Sequence, residues 1–341
     1  MEKLNCKMII HNVESPHLNQ IIAGFVELKK QGLISIDKEI INDSQLSYIE
    51  VLINNNIRVI YETQDSGDVF ACDFDKDEID FYFKRSFKCD MKKNISDKIY
   101  PLGLNYDVNS KYGDFHSFKY NAKNLLKKML KKGKNKFYIE DFECENSNCD
   151  GKICFLTRFW NPDSEEVENE TIRNERININ KFRANCIRSC KKKYGNKFLG
   201  GAYKDEYSLE NYKDCVIFDS SITEREKYLD ILKGYDICIA TKGLHNSIGW
   251  KFAEYVAMGK IIISEPLDYE VPGNFDKNKN YLEFNNVEEL IEKIDLIKKD
   301  SKLATKLKEN NEKYYRDYLR PDKLIINTFK IVFNNRGLDY E

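Results

Sequence analysis

The sequence lacks most features that would place a chain at a glance. It has six prolines and two tryptophans in 341 residues, so rigid turns are few. No run of about 18 apolar residues occurs, and no membrane-spanning helix is expected. The residues up to His17 hold one short apolar patch, Met8-Ile9-Ile10, too brief for the apolar region of a secretory signal. A cytoplasmic location is the resulting expectation. Charge of one sign is also lacking: 55 basic residues stand against 56 acidic ones, for a net charge of −1. No nucleic-acid partner is therefore expected, no integral membrane segment either, and any phosphate site has to be local; peripheral contact with a membrane is left open. Ten cysteines without an export signal read as reduced thiols. Cys144, Cys149 and Cys154 are spaced too loosely for a zinc knuckle, so no metal is expected.

What is present is a chain with 41% hydrophobic and 33% charged residues. That is enough apolar side chain for packed cores, and the length points to two domains. Residues 7–10 read as a buried strand. Residues 18–31 read as a helix with Ile21, Ile22, Phe25 and Leu28 on one face, stopped by Gly32. Residues 48–54 read as a second helix, and residues 57–61 and 79–83 as strands. This alternation implies an α/β layer structure with a mainly parallel sheet. A basic helix over a Leu/Met stripe is expected at 121–132, and a polar connection between domains at 143–150. The second half alternates again, with strands at 153–157, 197–201, 215–218, 236–240 and 260–264. Helices are expected at 179–194, at 223–232 behind a Thr223/Glu226 capping pattern, and through 287–298, 302–318 and 321–334.

The densest chemistry lies between Thr241 and Lys260. A strand ends there, a glycine-bearing loop follows, and a helix begins near Trp250. Gly243 and Gly249 let backbone approach a ligand closely. The free N–H groups and partial positive charge of the helix start suit a phosphate, and Lys251 adds a full charge. Glu254 follows three residues later on a neighbouring face, where a carboxylate can accept two ribose hydroxyls. The set reads as a nucleoside diphosphate clamp. The same spacing also fits a plain strand–turn–helix connection with a surface Lys–Glu pair.

The run Glu254-Tyr255-Val256-Ala257-Met258-Gly259, continued by the hydrophobic strand Lys260-Ile261-Ile262-Ile263-Ser264, resembles the C-terminal domain of group-1-type GT-B glycosyltransferases. In that family a loop and helix carry a Glu-x7-Glu pattern, then a small residue, glycine and a strand. The segment from Leu244 to Tyr255 is similar to a bacterial surface-glycan subset. The likeness spans residues 150–310 and reaches 1–140 only as a general pattern. It implies an α/β GT-B fold: two Rossmann-like doubly wound domains facing across a cleft, with C-terminal helices crossing back. Residues 1–140 would bind the acceptor and 150–318 the nucleotide sugar, with 319–341 packing back toward the first domain. Donor contacts are implied for Arg158, Gly243, His245, Asn246, Ser247, Gly249, Lys251 and Glu254, with Arg176 and Arg183 as secondary candidates. The nucleotide sugar is itself a substrate, so no cofactor is implied, and the protein's own cations take the place of a metal. The first acid of the family pattern falls on Asn246, so the sugar contact and retaining chemistry tied to that acid are not carried over.

In the first half, His11 and His17 follow the first strand. A neutral imidazole beside an acceptor hydroxyl is a suitable general base, and His17, at a helix start, is the catalytic candidate. Asp65, at a strand end near Gly67, is the second, either orienting a histidine or acting as base; it also fits a turn. Lys84 and Arg85 end another strand. Asp73-Phe74-Asp75 reads as an acidic turn. The expected reaction moves a sugar from a nucleotide-activated donor to a hydroxyl of a glycan or similar acceptor, as in surface polysaccharide synthesis. Two alternatives stay open: an isomerase of the nucleotide-sugar 2-epimerase type, and a non-catalytic nucleotide-sugar-binding or scaffold protein.

Overall fold

The computed structural model describes residues 3–41, 46–74, 78–113, 115, 136–143, 151–167 and 169–337. The expected helix at 121–132, Cys144 and Cys149, and Asp75 lie outside them. The strands are β1 Leu4–His11, β2 Ile34–Ile41, β3 Tyr48–Ile53, β4 Ile57–Glu62, β5 Phe81–Lys84, β6 Ile99–Pro101, β7 Ile153–Thr157, β8 Phe198–Ala202, β9 Ile237–Ala240, β10 Ile261–Ser264 and β11 Tyr281–Glu283. The longer helices are α1 Asn19–Lys30, α2 Glu170–Tyr194, α3 Arg225–Lys233, α4 Trp250–Ala257, α5 Val287–Lys299, α6 Ser301–Tyr314 and α7 Pro321–Asn334.

Two compact units result. Unit 1 comprises residues 1–141, 269–274 and 315–341; unit 2 comprises 142–268 and 275–314. Neither is one contiguous stretch, which differs from the expected division at 140 and 318: residues 269–274 pack within unit 1, where the Glu270 amide donates to the Phe87 carbonyl.

The sheet of unit 1 has the order β2-β1-β3-β4-β5-β6. It is mainly parallel, as expected, with one exception: β3 runs antiparallel to both β1 and β4. Residues 48–54, expected as helix, form β3. Ile49, Val51 and Ile53 are buried in alternation with half-buried neighbours, a period of two with β-branched side chains that a pleated surface favours. Asn54 and Asn55 have positive φ, 51° and 60°, a conformation asparagine tolerates, and they fold β3 back onto β4. Strands β1, β4, β5 and β6 still run the same way, so their carboxyl ends share one edge. Helices α1 and α7 cover one face. A Cβ added at Gly24 would collide with the Pro321 carbonyl, and Gln20 Nε2 donates to the Leu319 carbonyl at 3.0 Å.

The sheet of unit 2 is entirely parallel, in the order β11-β10-β9-β7-β8. Numbered within the unit this is 2-1-3-4-5, one of the two common doubly wound orders. Ile153, Phe155, Ile237, Ile239, Ile261 and Ile263 meet Ala184 and Ile187 of α2 and Leu290 and Ile294 of α5 in one core. On the opposite face Tyr228 of α3 and Tyr255 of α4 lie against Cys154 and Cys238. Two local expectations need correction. Residues 213–215 are a 3-10 turn rather than the start of a strand, and Val216 makes only an isolated bridge to Ala202. Thr223 ends a short helix, and Glu224 rather than Thr223 is the N-cap of α3.

Candidate functional site

In an open parallel sheet the strand order reverses at one point, and ligands bind in the crevice outside the strand carboxyl ends there. In unit 2 that point lies between β7 and β9. β7 ends at Thr157 and is followed by Arg158; beyond β9 come Thr241 and Lys242. The buried Arg183 of α2 joins the two ends. Its Nε donates to Thr241 Oγ1 at 3.0 Å, Nη1 to the Arg158 carbonyl at 2.7 Å and Nη2 to the Lys242 carbonyl at 2.8 Å. Burial pulls its pKa down to about 10, Glu265 works against that, and Arg158 adds to it. Lys251, in the first turn of α4, donates to the Leu156 carbonyl on β7 and lies 5.4 Å from the Tyr228 ring centroid. Burial lowers its pKa to about 8; Glu254 opposes the shift, and Arg183 and Arg158 add to it. Arg158, Arg183 and Lys251 are therefore close enough to repel one another. Three cations are gathered at the switch point of a chain with almost no net charge.

Arg158 is exposed, with its guanidinium stacked 3.4 Å from the Trp160 ring centroid. Asn180, fully buried on α2, fixes that segment: it accepts from the Trp160 amide at 2.8 Å and donates to the Trp160 carbonyl at 2.7 Å. Arg176 binds the Asn161 carbonyl and Ser164 Oγ, at 2.8 and 2.7 Å, so it is spent on the loop.

The loop from Thr241 to Gly249 is closed on itself. The Gly243 amide donates to the Ser247 carbonyl at 2.9 Å, and the Ser247 amide to the Leu244 carbonyl at 3.1 Å. A Cβ on Gly243 would come within 2.6 Å of Ser247 Oγ, so this glycine serves the loop's own packing. Ser247 is buried. His245 and Asn246 are exposed and both left-handed, with φ of 58° and 55°, a costly conformation for histidine. Lys242 is held by Glu265, which accepts from its amide at 2.8 Å, and by Asp268 at 2.6 Å. Gly249 is the N-cap of α4, no side chain caps that end, and nothing lies within 4 Å of where its Cβ would be. The helix start beside Lys251 is thus open, with its partial positive charge exposed.

Glu254 is placed differently from the expected accessible carboxylate. It is 1% exposed, and Arg225 of α3 pairs with its Oε1 at 2.8 Å. Neither carboxylate oxygen accepts an aligned hydrogen bond. The i+3 spacing from Lys251 put it on the right side of the helix but could not reveal its depth. Arg225 was missed altogether, because an arginine at a helix start looks like a solvated charge.

In unit 1 the two residues singled out for catalysis come together. His17 lies in a 3-10 turn before α1. Burial lowers its pKa, as does Arg85, while Asp65 and Asp107 act to raise it. Arg85 Nη1 binds Asp65 Oδ1 at 2.5 Å, Asn105 Nδ2 donates to the His17 carbonyl at 3.1 Å, and Asn19 holds Asp107 at 2.7 Å. These residues follow β1, β4, β5 and β6, the strands whose carboxyl ends share an edge. Lys84 is fully buried against Glu62; burial raises the Glu62 pKa and lowers that of Lys84. It is a packing pair. Asp107 and Asn105 carried no signal in the sequence, since they lie outside any periodic stretch.

Among the described residues no group of three or more His, Cys, Asp or Glu side chains could hold a metal, and no helix is long and apolar enough to cross a membrane.

No family model matches the chain, and no curated protein does. Solved structures with similar backbones include an α1,3-fucosyltransferase with GDP, at 12% identity and a TM-score of 0.42, covering 97% of this chain and 91% of that one. The C-terminal domain of a glycosyl transferase group 1 family protein, LpcC, from Francisella tularensis is matched at 15% identity and a TM-score of 0.37, over 52% of this chain and 95% of that domain. A glycosyltransferase from Rickettsia africae is matched at 15% identity and a TM-score of 0.39, over 74% of this chain but 63% of that longer one. The likeness is loose at these scores, and the site has to be read from its own residues.

Proposed function

We propose that the chain is a nucleotide-sugar-dependent glycosyltransferase of GT-B architecture, with its donor site at the β7/β9 switch point of unit 2. The observation that carries this reading is the gathering of Arg158, Arg183 and Lys251 around the open start of α4. A cluster of mutually repelling cations beside an uncapped helix N-terminus fits a diphosphate. Arg158 and Lys251 hold the diphosphate from the side, the amides after Gly249 hold it end-on, and Arg183 keeps the two strand ends in place behind them. Glu254 receives the ribose hydroxyls once Arg225, the more exposed partner of the pair, turns aside.

In the reaction His17 takes the proton from an acceptor hydroxyl. The acceptor oxygen attacks the anomeric carbon, and the bond from that carbon to the diphosphate breaks, leaving its electron pair on the phosphate oxygen. The cations stabilise the charge that develops there, the largest lever such a site has. Asp65 and Asp107 stabilise the imidazolium, and Arg85 limits how far they raise its pKa. A cytoplasmic setting, in which thiols stay reduced, suits the eight free cysteines among the described residues.

Thermal-shift measurement with a panel of nucleoside diphosphates tests the donor site. One of them raises the melting temperature of the wild type by mass action; Lys251→Ala and Glu254→Ala lose the shift. A wild type that responds to none of them overturns the reading. Incubation with the matching nucleotide sugar then separates transfer or slow hydrolysis from epimerisation of the donor and from binding without turnover.

A further inference from the structure

The helix α2 brings to the donor loop a carboxylate that a diphosphate cannot use. Because α2 connects the parallel strands β7 and β8, it runs against them and starts at their carboxyl edge. Glu175 stands ahead of Arg183 on this helix, about 12 Å nearer its start along the axis, and so beyond the strand ends that Arg183 joins. Its Oε1 accepts from the Asn246 amide at 3.4 Å, at the tip where His245 and Asn246 take left-handed backbone. Three acids nearby are neutralised: Asp163 and Glu170 pair with Arg173, and Glu166 pairs with Arg176. Among the described residues no basic side chain pairs with Glu175, which is half-buried. Asn246, in the place of the first acid of the Glu-x7-Glu pattern, is uncharged, so the carboxylate at this turn comes from α2 instead.

We propose that Glu175 binds hydroxyls of the transferred sugar and selects a neutral sugar over a uronic acid, an inference that rests on the donor site assigned above to the β7/β9 switch point. An anionic side chain repels a diphosphate and gains most from hydroxyl donors, because hydrogen bonds to an ionised acceptor are roughly twice as strong as neutral ones. A nucleotide sugar offers hydroxyls in two places. Glu254, deep in unit 2 beside Arg225, takes the ribose, which leaves the second sugar for Glu175. The exposed side chain of Asn246 adds an uncharged donor and acceptor beside it. A sugar whose C6 is a carboxylate meets a like charge there, with no cation paired to Glu175 to offset it.

Calorimetric titration separates this inference from the donor site itself. The probes are the nucleoside diphosphate that raises the melting temperature and two of its sugars that differ only at C6, such as UDP-glucose and UDP-glucuronic acid or GDP-mannose and GDP-mannuronic acid. The wild type binds the neutral sugar nucleotide about tenfold more tightly than the uronic acid, or better. Glu175→Gln keeps an oxygen for the Asn246 amide and removes the charge. It weakens binding of the neutral sugar nucleotide by about tenfold, abolishes the preference, and leaves nucleoside diphosphate binding and the melting curve unchanged. Glu170→Gln, the same change of charge at the exposed start of α2, leaves affinity and preference intact. A wild type that binds no nucleoside diphosphate ends the donor site, and this inference with it. Where the diphosphate binds, a wild type indifferent to the charge at C6, or a Glu175→Gln variant that keeps the preference, overturns the inference alone. So does a Glu175→Gln variant that loses the diphosphate as well, because the carboxylate then serves only the loop.

Discussion

One guanidinium holds two strand ends together. Arg183 satisfies the carbonyls of Arg158 and Lys242 and the hydroxyl of Thr241 from a buried position. Arg183→Ala leaves these acceptors without their charged donor, and the expected loss is about 3 kcal/mol in urea unfolding, together with loss of nucleotide binding. Lys251 makes a sharper prediction. Its pKa near 8 in the free protein means that it is cationic below that pH and loses its charge above it. Affinity for a nucleoside diphosphate is then steady at neutral pH and falls as pH rises past about 8, displaced upward to the extent that the bound anion holds the proton. Lys251→Arg, whose charge persists, flattens the profile in calorimetric titrations across pH. His17 has its pKa lowered, chiefly by burial, so the acid limb of kcat/KM lies below the ordinary histidine value of about 6.5. Glu or Asp chemistry alone, with His17→Gln still active, contradicts the proposed base. Much of this set was legible in sequence: Gly249, Lys251 and Glu254 stand out by spacing. The role of Arg183 was not, because a lysine- and arginine-rich helix looks solvated until the strands it lies under are known.

Elements were legible where periodicity was clean and misread where a turn decided the outcome. The helix α1 and the parallel strands of unit 2 follow from their apolar patterns. Residues 48–53 alternate just as clearly, yet the direction of β3 depends on Asn54 and Asn55 taking left-handed backbone, which spacing alone does not reveal. The helix expected behind Thr223 starts one residue later, because a break at Glu224 makes that residue the N-cap of α3. A glycine inside a helix usually costs stability relative to alanine, by about 1 kcal/mol. Gly24 reverses this, since its missing side chain is what lets α1 meet the backbone at the start of α7. Gly24→Ala should lower stability by about 2 kcal/mol or more, where an exposed helical position would gain. Chemical denaturation of this variant, with the unchanged Gly32 as reference, decides the sign.

At the scale of the molecule, α7 supplies Leu324, Ile325, Phe329, Val332 and Phe333 to the core that also holds β1, β3 and α1. A chain ending before Pro321 lacks that face. Hydrogen exchange should then show α1 and β1 deprotected, while β7, β9 and β10 keep their protection, since their core draws on none of these residues. Equal protection in both units after truncation contradicts this account of unit 1. The presence of two α/β units could be read from the alternation of elements. The return of the C-terminal residues to unit 1 was expected from the family resemblance and not from the residues themselves, because the partners are some three hundred positions apart.

That long-range closure sets an order of events during synthesis. A ribosome releases β1 and α1 early, but the segment that seals their apolar surface emerges only after every residue of unit 2 has been made. Unit 2 can therefore finish while the first half is still unsealed, and the nascent protein carries an uncovered hydrophobic face through most of its translation, a state that favours chaperone contact over solitary folding.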